Sequence, residues 1–198
     1  MIQTFEWEAH YRAGDTPWDL GEAHPELVER LARGELRPPK RGAWALVPGC
    51  GRGHDAHWLA RAGWRVTAVD VAPSVADRLR ALLGPLGGEV RIADVLRYRS
   101  TRKFDLVWDH TLFCALAPAD RRAYGAMVRR ALAPRGIFAS LVFPADRPRA
   151  EGGPPWGMSA GDLSAALGRD FSLIENTPVR RPGHKRPWAE RWAAFRRR

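Results

Sequence analysis

Leu46-Val47-Pro48-Gly49-Cys50-Gly51-Arg52-Gly53-His54-Asp55 decides the fold of this chain of 198 residues. An apolar run, Ala43 to Val47, stops at a proline, and three glycines then alternate before a segment, Asp55 to Arg61, with Ala56, Leu59 and Ala60 at helical spacing. A buried strand, a tight glycine turn and a helix form the first unit of a parallel α/β sheet. Glycine in such a turn permits positive φ and close approach of a ligand to the backbone, and the free N–H groups of the next helix face the turn.

Outward from this unit the alternation continues. Strands are expected at Arg65–Val69, Glu89–Ala93, Phe104–Trp108, Ile137–Phe143, Phe171–Glu175 and Trp192–Arg196. Helices are expected at Pro73–Leu83, Asp120–Leu132, closed by Pro134-Arg135-Gly136, and Ser159–Leu167. The first forty or so residues are rich in aromatics and belong to no strand–helix unit. The expected organisation is one domain over 1–198, with an arm over 1–41 and an α/β core over 42–198.

Composition limits the function classes. Apolar residues at 45% and charged residues at 27% are globular values. No apolar run approaches the roughly 20 residues that cross a bilayer. The opening Met-Ile-Gln-Thr-Phe-Glu-Trp-Glu has no basic stretch followed by an apolar core, so a cytoplasmic protein is expected. A net charge of +10 makes nucleic acid the first suspect as partner, yet only Lys40, Lys103 and Lys185 among the 32 basic residues are lysine, and the arginines are spread from Arg12 to Arg198. They concentrate only near the C-terminus, from Arg180 to Arg198. Cys50 and Cys114 lack zinc-site spacing and read as packing residues, and His54 and His57 beside Asp55 lack a further metal ligand nearby.

Two acidic residues extend the reading of the glycine turn. Asp70 ends the second expected strand about twenty residues after Gly49, where a carboxylate can accept ribose hydroxyls. Asp94 follows the third strand and can receive an adenine amino group. A dinucleotide fingerprint requires a glycine where His54 stands, so an adenosyl ligand without phosphates fits better.

With Gly49, Gly51 and Gly53, Asp70 and Asp94, the pattern resembles the class I S-adenosylmethionine-dependent methyltransferases. Further segments resemble, more narrowly, the thiopurine, halide and thiol methyltransferase family: Trp7-Glu8, Thr16-Pro17-Trp18-Asp19-Leu20-Gly21, Phe113-Cys114-Ala115-Leu116-Ala117-Pro118 with Arg121, and Gly152-Gly153-Pro154-Pro155. The resemblance implies a Rossmann-like, doubly wound, mostly parallel seven-stranded sheet with an N-terminal helical lid. It implies that S-adenosyl-L-methionine is held by Trp7, Tyr11, Trp18, Gly49, Gly51, Asp70, Asp94, Val95, His110 and Arg121, and that a small acceptor meets Phe113, Phe143 and Trp156.

This sequence departs from the family at three of these positions. Tyr11 stands where a second tryptophan is common, and Val95 where the plant halide and thiol enzymes carry phenylalanine. Phe143 replaces a tyrosine of those enzymes, which removes a hydroxyl near an anionic nucleophile and counts against halide turnover. Among candidate catalytic residues, Arg121 rests on the resemblance, with a salt bridge within its helix as the other role. His110 beside Asp109 is either a base for a neutral thiol or a polar residue at a sheet edge. The expected activity is methyl transfer to a small soft nucleophile (a thiol, hydrosulfide, thiocyanate, halide or thiopurine-like thiol) by in-line displacement, without a metal. A nucleic-acid methyltransferase and a non-catalytic adenosyl-binding protein are the alternatives. A membrane partner is not expected, a monomer is plausible, and oligomeric state is open.

Overall fold

The computed structural model describes residues 4–184 and 186–198, and side chains from Glu6 onward; Lys185 of the C-terminal basic run lies outside the described residues. Seven strands, β1 (Trp44–Pro48), β2 (Arg65–Asp70), β3 (Glu89–Ile92), β4 (Phe104–His110), β5 (Leu132–Val142), β6 (Phe171–Pro178) and β7 (Arg191–Arg197), form one sheet in the order β3-β2-β1-β4-β5-β7-β6. Neighbours from β3 to β5 pair in parallel, and β7 runs antiparallel to both β5 and β6. Among the described residues the α-helices are α1 (Thr4–Ala13), α2 (Pro25–Ala32), α3 (His54–Arg61), α4 (Ala76–Leu83), α5 (Leu112–Ala115), α6 (Arg121–Ala131) and α7 (Ala160–Leu167).

The strand order reverses between β1 and β4, and in open α/β sheets a crevice opens beyond the carboxyl ends of the strands at such a point. That places the glycine turn after β1 and His110 at the end of β4 on one crevice. Side chains alternate across the strands: Ala45 and Val47 join Val66, Ala68, Leu106 and Trp108 in one core, while Leu46 joins Val69, Val107 and Phe138 in the other. The first core is covered by α3 and α4, and the second by α6 and α7.

Two expectations need adjusting. The helix expected from Asp120 starts at Arg121 after a short 3-10 turn, Pro118–Asp120, and ends at Ala131. Leu132 already pairs with Phe104, so the Pro134-Arg135-Gly136 turn is an irregularity within the entry of β5 rather than a helix stop. The arm also holds regular structure, because Pro25 starts α2 and the His24 ring caps it by accepting from the Glu26 N–H.

The basic C-terminal run is engaged internally. Arg180 pairs with Glu35, Arg186 with Glu190, and Arg191 donates to Asn176. Buried Arg30 of α2 bonds Glu26, Glu35 and Glu175 and lies 4.1 Å above the Trp192 ring, fastening the arm to β6 and β7.

The α6–α7 contact provides a test of the packing. A Cβ on Gly125 would lie 1.9 Å from the Ala166 carbonyl oxygen, so Gly125→Ala forces the helices apart despite the better helix propensity of alanine. Urea unfolding is expected to show a loss of about 1–3 kcal/mol; an unchanged or raised stability would contradict this packing.

Candidate active site

The residues at the switch point enclose a cavity of about 550 Å³, within the size range of small-molecule sites. Its floor is the glycine turn. Gly49 and Gly51 have φ of +62° and +53°, and a Cβ at Gly51 would come within 2.9 Å of the Tyr11 hydroxyl. Only glycine therefore lets the arm close so near the loop. Asp70 braces this turn: Oδ2 accepts from the Gly51 N–H at 2.8 Å and Oδ1 from the Ala72 N–H at 3.0 Å. Burial nevertheless pushes its carboxyl above the ordinary value. Asp94, Val95 and Leu96 line the same cavity, with Asp94 Oδ1 accepting from the Leu96 N–H.

The arm supplies the roof. Trp7 and Trp18 meet edge to face at 4.9 Å, Tyr11 and Trp18 at 5.8 Å, and all three rings line the cavity. Burial, then the nearby Asp70 charge, pushes the Tyr11 phenol upward and keeps it protonated. Asp19 latches the arm to the loop through Arg52 at 2.8 Å and His54 at 3.4 Å. The His54 contact is the main reason its carboxyl titrates below the usual range.

At the far end, His110 Nδ1 lies 2.6 Å from Asp55 Oδ2, which also accepts from Trp108 Nε1 at 2.8 Å. Asp55 Oδ1 accepts from the His24 N–H at 2.8 Å. Burial opposes the Asp55 charge, yet His110 and these N–H donors hold its carboxyl below the usual range. Arg186 lines the cavity beside His110, rests 4.6 Å from the Phe143 ring centre and pairs with Glu190 at 2.7 Å. Phe143, Pro154, Pro155 and Trp188 make this end apolar.

Three expected site residues stand outside the cavity lining. Phe113 is 1% exposed and packs in the core against Tyr124. Arg121, the first residue of α6, folds onto the Phe113 ring at 4.7 Å with a long Nη2 bond to the Gly157 carbonyl, and its neighbour Asp120 lines the cavity instead. The Trp156 ring turns back over Gly153 while the Trp156 backbone N–H donates to the Cys114 carbonyl, leaving Pro154 and Pro155 to face the cavity. Asp109, beside His110, points away from the cavity to Tyr124 Oη at 2.6 Å, and burial pushes its carboxyl to about 6. Burial also pushes the Cys114 thiol to about 12 and the Cys50 thiol well above its ordinary value, so neither is a ready nucleophile. Among the described residues no group of three or more potential ligands could hold a metal ion, and no helix is long and apolar enough to cross a membrane.

The chain is similar to known methyltransferases. The Thiopurine S-methyltransferase family profile matches residues 2–82, and a methyltransferase-domain profile matches residues 45–136. A probable thiol methyltransferase 2 of Arabidopsis thaliana is 33% identical over 81% of this chain and 70% of its own length. The chain belongs to the thiopurine and thiol S-methyltransferase family. Thiocyanate methyltransferase 1 of Brassica oleracea is another relative, 32% identical over 87% of this chain and 76% of its own length. Among solved structures, one reported for the conversion of a disulfide bond into a thioacetal group in echinomycin biosynthesis superposes with a TM-score of 0.76 at 26% identity, covering 98% of this chain and 92% of that one. The fold is shared, with a TM-score of 0.76 at 24% identity, by the Burkholderia thailandensis 1,6-didemethyltoxoflavin N1-methyltransferase, solved with S-adenosylhomocysteine; the match covers 98% of this chain and 86% of that one.

This family member is an S-adenosylmethionine-dependent methyltransferase. The cavity suits that cofactor chemically: a glycine cradle that a Cβ would fill, carboxylates for hydroxyl and amino groups, and ring faces for a sulfonium cation. Sequence reasoning missed Asp55, Arg186 and Trp188, which reach the site from positions far apart in the chain.

Glu190 yields a pH test. Although burial disfavours its charge, His24, Arg186 and the Gly183 N–H bring its carboxyl from 4.5 down to about 2. The native carboxylate binds a proton more weakly than the unfolded one, so its contribution is complete above about pH 4.5 and drains away as pH falls toward 2. Glu190→Gln is expected to cost stability at neutral pH, by at most about 3 kcal/mol, and to flatten the acid limb of urea stability against pH. An acid limb as steep as in the parent would refute this.

Proposed function

We propose that this enzyme transfers the methyl group to a small, soft, sulfur-type nucleophile by in-line displacement, inside a chamber closed by its N-terminal arm. The meeting of the arm's aromatic cluster with the glycine turn over one cavity carries the reading. When bound, S-adenosylmethionine supplies a methyl carbon made electrophilic by its sulfonium. Asp70 accepts from the ribose hydroxyls and Asp94 from the adenine amino group, with Val95 and Leu96 against the base and the Gly49 and Gly51 backbone along the adenosyl group. The Trp7, Tyr11 and Trp18 faces attract a sulfonium by about 0.5–2 kcal/mol and exclude water.

The acceptor enters the apolar end formed by Phe143, Pro154, Pro155 and Trp188. A soft anion there is poorly solvated and close to its target, so positioning provides most of the acceleration. Arg121 has its guanidinium on Phe113 beneath this end, and in this reading it supports the floor rather than touching the reactants. The chain then acts as one catalytic unit, the arm its lid, on a small-molecule acceptor.

Two measurements test this. Isothermal titration of S-adenosylmethionine should show Trp18→Ala weakening binding by about 2- to 30-fold, the range set by one lost cation–ring contact. An acceptor screen that reads S-adenosylhomocysteine should give turnover with a thiol, hydrosulfide or thiocyanate. Binding unaffected by Trp18→Ala, or a screen with no active sulfur acceptor, would refute the reading.

A further inference from the structure

We infer that His110, Asp55 and Arg186 form a proton-accepting station, which fits this enzyme to acceptors that arrive protonated, neutral thiols in particular; the inference rests on the methyl-transfer reading above. Arg186 Nη2 lies 2.6 Å from His110 Nε2. A guanidinium only donates, so Nε2 is the acceptor and carries no proton. The ring proton is therefore on Nδ1, donated to Asp55 Oδ2 at 2.6 Å. The imidazole is neutral, oriented by a buried carboxylate, and its basic nitrogen is covered by a residue that shares the cavity wall with it. This is the arrangement in which a carboxylate fixes a histidine tautomer and stabilises the imidazolium that forms.

Charged and titratable groups face the ring from several elements. Asp55 faces it from α3, Arg186 and Glu190 from the segment between β6 and β7, and His24 from the arm with its ring centre 5.1 Å away. Asp109, next along β4, is turned to Tyr124. His24 Nδ1 accepts from the Glu26 N–H, so its proton is on Nε2, donated to Glu190. Burial keeps His24 uncharged. Arg186 is thus the cation beside the ring, and Glu190 offsets it at 2.7 Å.

An entering S–H group takes the place of Arg186 Nη2 on His110 Nε2. The S–H bond breaks, its electron pair stays on sulfur, and the proton joins the Nε2 lone pair; the pair left on sulfur is the one that accepts the methyl group. His110 then donates from both nitrogens, with Nδ1–H still on Asp55. Arg186, still anchored by Glu190 and by the Phe143 face, turns its freed N–H toward the thiolate. The proton leaves to solvent when the thioether departs. Thiocyanate has no proton to give and does not use the station. His110 is thus a catalytic residue, and Asp55 acts through it as a positioning residue.

Comparing an alkanethiol with thiocyanate at neutral pH separates this role from a structural one. His110→Gln is expected to lower kcat/KM for the alkanethiol about 100-fold or more, and at least about 10-fold more than it lowers that for thiocyanate. In the S-adenosylhomocysteine complex, ¹⁵N imidazole shifts should show His110 neutral with its proton on Nδ1, becoming doubly protonated when the alkanethiol is added but not when thiocyanate is. Asp55→Asn should erase the Nδ1–H preference. Equal losses with both acceptors, a thiol loss seen in Asp120→Asn but not in His110→Gln, or a proton on Nε2 in the parent would overturn the proposal. Thiocyanate turnover without thiol turnover would remove the station alone, and a parent that turns over neither would remove the methyl-transfer reading with it.

Discussion

The buried carboxylate of Asp55 holds together the parts of the chain that make the site. It accepts from the His24 backbone at the start of α2, from the Trp108 indole within β4 and from the His110 ring at the end of β4. It sits in the first turn of α3, where free N–H groups and the helix dipole favour a negative charge. An isolated charge at that depth would be costly, and these donors make it tolerable. Arm, first crossover helix and central strand are consequently set relative to one another at the reversal of strand order, where the cavity opens.

From this anchor the rest follows in two directions. Toward β2, Asp70 braces the glycine turn and Tyr11 settles onto Gly51, so this side of the cavity is built largely of backbone and carboxylates. Toward β7, Arg186 joins His110 to Glu190, and Glu190 returns to His24. The His110 side of the cavity is therefore closed by the arm and the β6–β7 connection together.

That Gly49, Gly51, Asp70 and Asp94 share one cavity could be read from the sequence because the signals are local: a strand, three alternate glycines and a helix close together, then a carboxylate just past each of the next two strand segments. The aromatic arm was legible for a similar reason, since Trp7, Tyr11 and Trp18 lie within three turns of one another and serve no strand–helix unit. The other end was legible only at His110 and Phe143, which the sequence reading named and which line the cavity. Arg186 reaches His110 across 76 positions, and His24 reaches Glu190 across 166, separations fixed only by the antiparallel pairing of β7 with β5. Arg121, Phe113 and Trp156 were placed in the site by resemblance, but which face of a short helix or turn meets a cavity depends on rotations of a few tens of degrees. Asp120 and Pro155, each one residue away, face it instead. Diffuse arginine was the least informative feature; within its C-terminal concentration, Arg180, Arg186 and Arg191 bond Glu35, Glu190 and Asn176.

The arm and the strand ends line one chamber, proposed to take the adenosyl group at the β1–β2 side and the acceptor at the His110 side. A crystal structure with S-adenosylhomocysteine is the decisive test. Expected are the ribose on Asp70, the adenine beside Asp94 and Val95, and the sulfur beneath Trp18 opening toward His110 and Phe143. A ligand bound outside the aromatic arm, or with its sulfur directed away from His110, would contradict it.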